Sequence, residues 1–335
     1  MSKSQIFQGD ALRFSGLPLE FAVSQILTQI DGVQNVLPKG RLYYEAMDQG
    51  ISKTCETDLW AIHGWTKCHK VDESGLEDEW TEILHELSIE CEHRSGEKHW
   101  CFFPQASNVV DLSENLFFNE ILKNEKAYNL GKLHRIKREF FLKAKIVGDG
   151  IELFEKSNSL GNWDKNPESI RDAIRQVLMP VGHLIPNIFI RNFILSYSGQ
   201  EMAFCTPIIV TSARIHALKE GIGWDELSKC EEINECFSQE KSVICTVCTP
   251  TNIESHWRNC VRKFLLELKK NDNDTFVKSV SRFGDPSEDG IVDDISYKIF
   301  NGSPKRVIIT QIDSLKDTLK EYLQNFEKII NETIQ

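Results

Sequence analysis

The chain has 335 residues, 41% hydrophobic and 27% charged, with a formal net charge of −11. That balance provides a sizeable core for one large or two modest globular domains, and it argues against a protein that coats nucleic acid through overall positive charge. No run reaches the ~18 apolar residues of a membrane span, and Met1 to Asp10 is polar, so a cytoplasmic protein without membrane contact is expected.

Ser15-Gly16-Leu17-Pro18 opens the first helix and Asp31-Gly32 stops it. Leu19, Val23, Ile26, Leu27 and Ile30 form its apolar stripe. Glu20 borders that stripe, where it can point along the core edge toward a sheet or serve as a first-turn acid favoured by the helix dipole. Val33 to Ala46 reads as a strand or strand pair, in which Tyr43 and Tyr44 are read as sheet packing in preference to base stacking. Lys53 to Ile62 is the next strand-like run, with Glu56 and Asp58 on one parity and Thr57, Leu59 and Ala61 on the other. Gly64 to Glu86 is polar and acid-rich, and is expected to be a long decorated connection between two antiparallel neighbours. In Leu87-Ser88-Ile89-Glu90-Cys91-Glu92 the apolar residues alternate with polar ones, the period of a half-buried strand whose second face carries two acids. Two carboxylates side by side at a core edge repel, and a cation between them makes the pair tolerable, which points to a metal site.

An acid-bearing helix, a strand carrying Asp58, a strand reading Glu90-Cys91-Glu92 and a following Trp100-Cys101-Phe102 strand together resemble the PD-(D/E)xK nuclease superfamily. The resemblance runs over roughly 17–103 and more loosely to about 213. It implies a restriction-endonuclease-like α/β core, a mixed central sheet flanked by helices, over residues 1–213. It further implies Mg²⁺, or Mn²⁺ in its place, held by Asp58 and Glu90, and hydrolysis of phosphodiester bonds in DNA more than in RNA, in a restriction or defence setting. The family's lysine position is Glu92 here, as in some members. An active site then needs Glu92 as general base or as a ligand to a second metal, with Glu20 adding a metal or water contact. The alternative is a module that kept the fold, lost the reaction, and binds nucleic acid or a protein partner.

Beyond Pro104 no motif stands out until Lys132, Arg135, Lys137, Arg138, Lys143 and Lys145, the most basic part of an acidic chain. The segment reads either as a helix or as a strand from Phe141, with Gly148-Asp149-Gly150 turning the chain into Ile151 to Phe154. Lys132, Arg135, Arg138, Lys143 and Lys145 are the candidate nucleic-acid contacts, and a solvated charged face is the alternative. Asn166-Pro167-Glu168 opens a helix through Ile170, Ala173, Ile174, Val177 and Leu178, from which Arg171 and Gln176 are secondary candidates to reach the site. Phe204 to Thr211 reads as a buried central strand.

Residues 214–335 read as a C-terminal α/β extension. Val243 to Cys248 and Arg306 to Thr310 are strand-like, Ser255 to Lys269 is helix-like, and Gly284 to Asp294 is an exposed polar loop. The last helix, with Ile312, Leu315, Leu319, Tyr322, Leu323, Phe326, Ile329 and Ile330 on one face, must bury that face within the chain or in a homodimer seam. Ten cysteines are scattered along the chain and are expected to be reduced. Cys245, Cys248, His256 and Cys260 match zinc in number, but the odd separation of the first two points them to opposite faces of a strand, which argues against a four-ligand site. There is no glycine-rich phosphate loop or nucleophile elbow.

Overall fold

The computed structural model describes residues 16–38, 44–48, 51–55, 58–71, 77–94, 97–104, 142–155, 163–185, 201–247, 251–281, 284–301 and 306–333. Among these, no helix is long and apolar enough to cross a membrane.

Helix α1 (Leu17–Leu27) leads into β1 (Val33–Pro38), and a separate two-stranded hairpin of β2 (Tyr44–Asp48) and β3 (Ile51–Cys55) follows. Next come β4 (Leu59–Val71), β5 (Glu77–Glu92), β6 (Lys98–Pro104), β7 (Lys145–Glu155), β8 (Trp163–Asn166) and α2 (Glu168–Leu178). The chain continues through β9 (Glu201–Thr211), β10 (Arg214–Leu218), two one-turn helices, β11 (Phe237–Glu240) and β12 (Ser242–Thr246). It ends with α3 (Thr251–Asn271), α4 (Asn273–Val280), α5 (Ile291–Asn301), β13 (Arg306–Gln311) and α6 (Leu315–Thr333). One mixed sheet joins eleven strands in the order β1-β4-β5-β9-β13-β12-β7-β6-β10-β11, with β8 paired to β7.

Alternation decides which helices cover which face. Leu87, Ile89, Ile208, Val210 and Ile308 point toward α1 and α6, whereas Cys205, Ile209, Val243, Val307 and Ile309 point toward α2 through α5. Central strands covered on both sides read as unbroken apolar runs, as Val307-Ile308-Ile309 does. This α/β architecture of a mixed sheet between helices is the one expected. The boundary drawn at 213/214, however, marks no break in the sheet: β13 lies parallel to β9 with Ile308 opposite Ile208, and β12 lies between β13 and β7. The C-terminal strands fill the middle of the sheet.

Four further expectations change. The described residues 64–71 and 77–86, expected as a decorated connection, lie in β4 and β5, which pair from Leu59↔Ile89 to Val71↔Glu77; an antiparallel pair can leave one face to water, so polar composition does not exclude strand. The run Lys53 to Ile62 is not one strand, since β3 ends at Cys55 and Asp58 immediately precedes β4. Gly148-Asp149-Gly150 does not reverse the chain, which continues as β7 from pairing with β12 to pairing with β6. The segment expected as loop to Asp294 already enters α5 at Ile291. The apolar face of α6 is buried inside the chain, with Tyr322 OH 2.8 Å from Thr206 Oγ1 and Phe326 edge-on to Phe204 at 5.2 Å, so it forms no dimer seam.

Candidate functional site

The β4–β5 register builds the first half of the site. Leu59 faces Ile89, so the next residues outward, Asp58 and Glu90, fall side by side on the α2 face of the sheet. Asp58 is held there by the backbone N–H of Cys91, which donates to its Oδ2 at 2.9 Å. Glu90 is 9% exposed and hydrogen-bonded to the Asp58 carboxyl. Burial is the first cause that lifts its pKa to about 9, followed by the charges of Asp58, Glu92 and Glu20. Both effects favour a protonated Glu90 over two charged carboxylates side by side. Glu20, buried on α1 beside Leu19 and Val23, contributes its field from the helix side.

Glu92, two residues along the same strand face, belongs to a different cluster. Burial raises its pKa, Arg94 opposes that rise, and Asp58, Glu152 and Asp172 add to it. The Arg94 Nη2 lies 2.8 Å from Glu92 Oε2, and its Nε lies 3.1 Å from Glu152 Oε2 as a charge contact without hydrogen-bond alignment. The guanidinium also sits 5.7 Å from the Trp100 ring centroid. Glu152, 2% exposed, accepts from Trp100 Nε1 at 2.9 Å and Ser169 Oγ at 3.0 Å, and Lys98 Nζ stands 3.5 Å from its other oxygen. Three strands separate β5 from β7 in the hydrogen-bonded order, yet Arg94 bridges their acids. The sheet curls around α2, whose Ile170, Ala173 and Val177 fill the trough with Trp100 and Phe102.

Of the sequence candidates, Asp58 and Glu90 come together, Glu20 borders them, and Glu92 turns to Arg94. Asp58, Glu90 and Glu92 do not gather their oxygens into one three-ligand group within 4.8 Å. Arg171 is bound to Asp149 at 2.6 Å and Glu168 at 3.3 Å on the outer side of α2, and Gln176 is exposed, so neither secondary candidate joins the cluster. Lys132, Arg135 and Arg138 lie outside the described residues, as do Lys137 and Tyr43. Lys143 is exposed; Lys145 is engaged by Glu240 Oε1 at 2.9 Å and Ser238 Oγ at 2.7 Å, so its charge is locally neutralised. Cys245 is buried with its thiol donating to the Gly148 carbonyl at 2.9 Å, apart from His256 and Cys260, and Cys248 lies outside the described residues.

Sequence reasoning missed Arg94, Glu152 and Ser169. The available signal was Glu152 between Ile151 and Leu153, an acid whose parity is inward; only the pairing Trp100↔Glu152 reveals that it faces the same trough as Glu92. No protein-family model, curated protein or solved structure matches the chain.

Proposed function

We propose that the chain is a Mg²⁺-dependent nuclease of the PD-(D/E)xK kind that hydrolyses phosphodiester bonds in DNA. The observation that carries this reading is the hydrogen-bonded pair of half-buried Asp58 and buried Glu90, brought side by side by the β4–β5 register. Order along the chain adds support: an acid-bearing helix, an antiparallel strand pair carrying Asp58 and Glu90, a covering helix and a strand parallel to β5.

The donor set fits a hard divalent ion, because carboxylate oxygens are the ligands Mg²⁺ and Mn²⁺ prefer and the field that raises the Glu90 pKa is the field that attracts a cation. Asp58 and Glu90 would hold it; when bound, such an ion polarises the scissile phosphate and lowers the pKa of a bound water. The Cys91 N–H fixes the Asp58 carboxylate so that reorganisation is small. Glu92, its pKa raised by burial and its orientation set by Arg94, is placed to accept a proton from the attacking water. Arg94 and Lys98 offset the charges of Glu92 and Glu152, which limits the negative potential that a phosphate would meet beside the pair.

A second reading, a nucleic-acid or protein-binding module without catalysis, is favoured by one observation: Arg94 already engages the Glu92 carboxylate. Cleavage of plasmid and single-stranded DNA with Mg²⁺, Mn²⁺ or EDTA separates the two. The nuclease reading expects metal-dependent products from wild type, none from Glu90→Gln, and reduced activity from both Glu92→Ala and Glu92→Lys. A folded wild type that cleaves nothing with either metal, or that gains activity on Glu92→Lys, supports the binding module.

A further inference from the structure

A second, half-buried group of ligand-type side chains lies at the other end of α2, where residues 179–185 pass beneath α3. There the donor atoms of His183, His256 and Cys260 all fall within 4.8 Å of one another. His256 and Cys260 are four residues apart on α3 and therefore share a face, and His183 is presented to them by the turn in which Gly182 N–H reaches the Met179 carbonyl at 3.2 Å and His183 N–H reaches the Pro180 carbonyl at 2.9 Å.

We propose that His183, His256 and Cys260 form a site for Zn²⁺, with a water molecule as the fourth ligand, that clamps the segment following α2 to α3. One edge of the site already has the spacing the ion demands. With Zn–N near 2.05 Å and Zn–S near 2.3 Å, a tetrahedral edge between the two donors is about 3.6 Å. The Cys260 Sγ to His256 Nε2 separation is 3.6 Å.

The donor set selects the metal class. Two imidazoles and a thiol suit a borderline-soft ion and are poor ligands for Mg²⁺, so this site and the carboxylate pair divide their metals by chemistry. Burial holds the His183 pKa at about 4 and lowers that of His256, so both rings are neutral at pH 7 and carry a lone pair for a metal. The His256 ring is hydrogen-bonded to the backbone of Met179, the kind of contact that fixes an imidazole ligand's orientation. The wall is also built for close approach. A Cβ at Gly182 would stand 2.7 Å from Trp257 Cδ1 and 3.2 Å from His256 Nε2, so a side chain there would push the His183 segment off α3. Trp257 Nε1 donates to the Leu178 carbonyl at 2.8 Å, pinning the end of α2 against the same face. On binding, the Cys260 thiol proton leaves to solvent and the thiolate takes up one coordination position, so one proton is released per ion.

The test uses the full chain stripped of metal with chelator, then titrated with Co²⁺ alone or Zn²⁺ alone. Wild type and Glu90→Gln should each bind one equivalent of Co²⁺ with thiolate-to-cobalt charge-transfer absorption. Zn²⁺ should abolish that absorption, and it should be missing from Cys260→Ser. A parallel measurement needs no variant: Zn²⁺ should protect Cys260 from alkylation, read by peptide mass, while Cys230, which is no more buried than Cys260, reacts at an unchanged rate. Absence of the charge-transfer band in folded wild type, its persistence in Cys260→Ser, or alkylation of Cys260 at an unchanged rate in Zn²⁺ would overturn the assignment.

Discussion

The two carboxylate clusters at the ends of β5 and β7 meet the same problem with different solutions. Glu92 and Glu152 are buried acids that share a guanidinium, with Lys98 beside them. Half-buried Asp58 and buried Glu90 lie side by side and hydrogen-bond to each other, an arrangement that favours a protonated Glu90. A guanidinium tethered to the chain is a permanent counter-charge, whereas a proton exchanges with whatever cation the solvent supplies. On the proposed reading, the first cluster orients and the second exchanges its proton for a cation.

The largest effect that would break this contrast is at Glu90. Glu90→Gln keeps the hydrogen bond to Asp58 but removes the charge a divalent ion needs. Cleavage should fall by more than the roughly 10–100-fold typical of losing a merely supporting group. Equal rates for the two proteins in a plasmid-nicking assay would place the chemistry elsewhere.

Next in size is Arg94→Ala, which leaves Glu92 facing Glu152 without their shared cation. Removing one partner of a mostly buried ion pair costs about 3 kcal/mol, so denaturant unfolding should show a clear loss near neutral pH. The loss should shrink on acidification, as the stranded acids take up protons. Wild-type stability in Arg94→Ala would mean that Trp100 and Ser169 suffice to hold Glu152.

A subtler effect sharpens the contrast through pH. The folded-state pKa of Glu90 is raised, so the stability it contributes is fully present below the unfolded value near 4.5 and is lost as pH rises toward about 9. Without divalent metal, wild type should melt at progressively lower temperature across that window, and Glu90→Gln should show a flatter profile. Parallel profiles would show that the proton sits on another group.

The smallest expected change is at Lys145. Because Glu240 already neutralises it, Lys145→Ala should alter the salt dependence of DNA binding by less than the ~0.9 slope of one full phosphate contact. A full-contact change would return Lys145 to the nucleic-acid surface.

How much of this was legible in the sequence differs between the clusters for a physical reason. Alternation over Leu87 to Glu92 places Glu90 and Glu92 on one face without knowledge of any partner, because side-chain parity is local. That Asp58 stands beside Glu90 also follows once an antiparallel neighbour is assumed. The Glu92–Arg94–Glu152 network was not legible, because it depends on a sheet that curls around α2 and brings together strands with three others between them. The central position of β12 and β13 was hidden for a related reason: Val243 to Thr246 and Val307 to Thr310 announce buried strands, but nothing local says between which neighbours they insert. His183, likewise, reaches His256 and Cys260 only through the packing of residues 179–185 under α3.

The most direct test of the exchange between proton and cation is calorimetric titration of the metal-free chain with Mg²⁺ at pH 7, in two buffers of different ionisation enthalpy. If Asp58 and Glu90 release their proton to take up the ion, close to one proton should appear in the buffer per Mg²⁺ bound, and the binding should vanish in Glu90→Gln. Binding without proton release, or binding that survives Glu90→Gln unchanged, would contradict the assignment of the pair as the divalent-cation site.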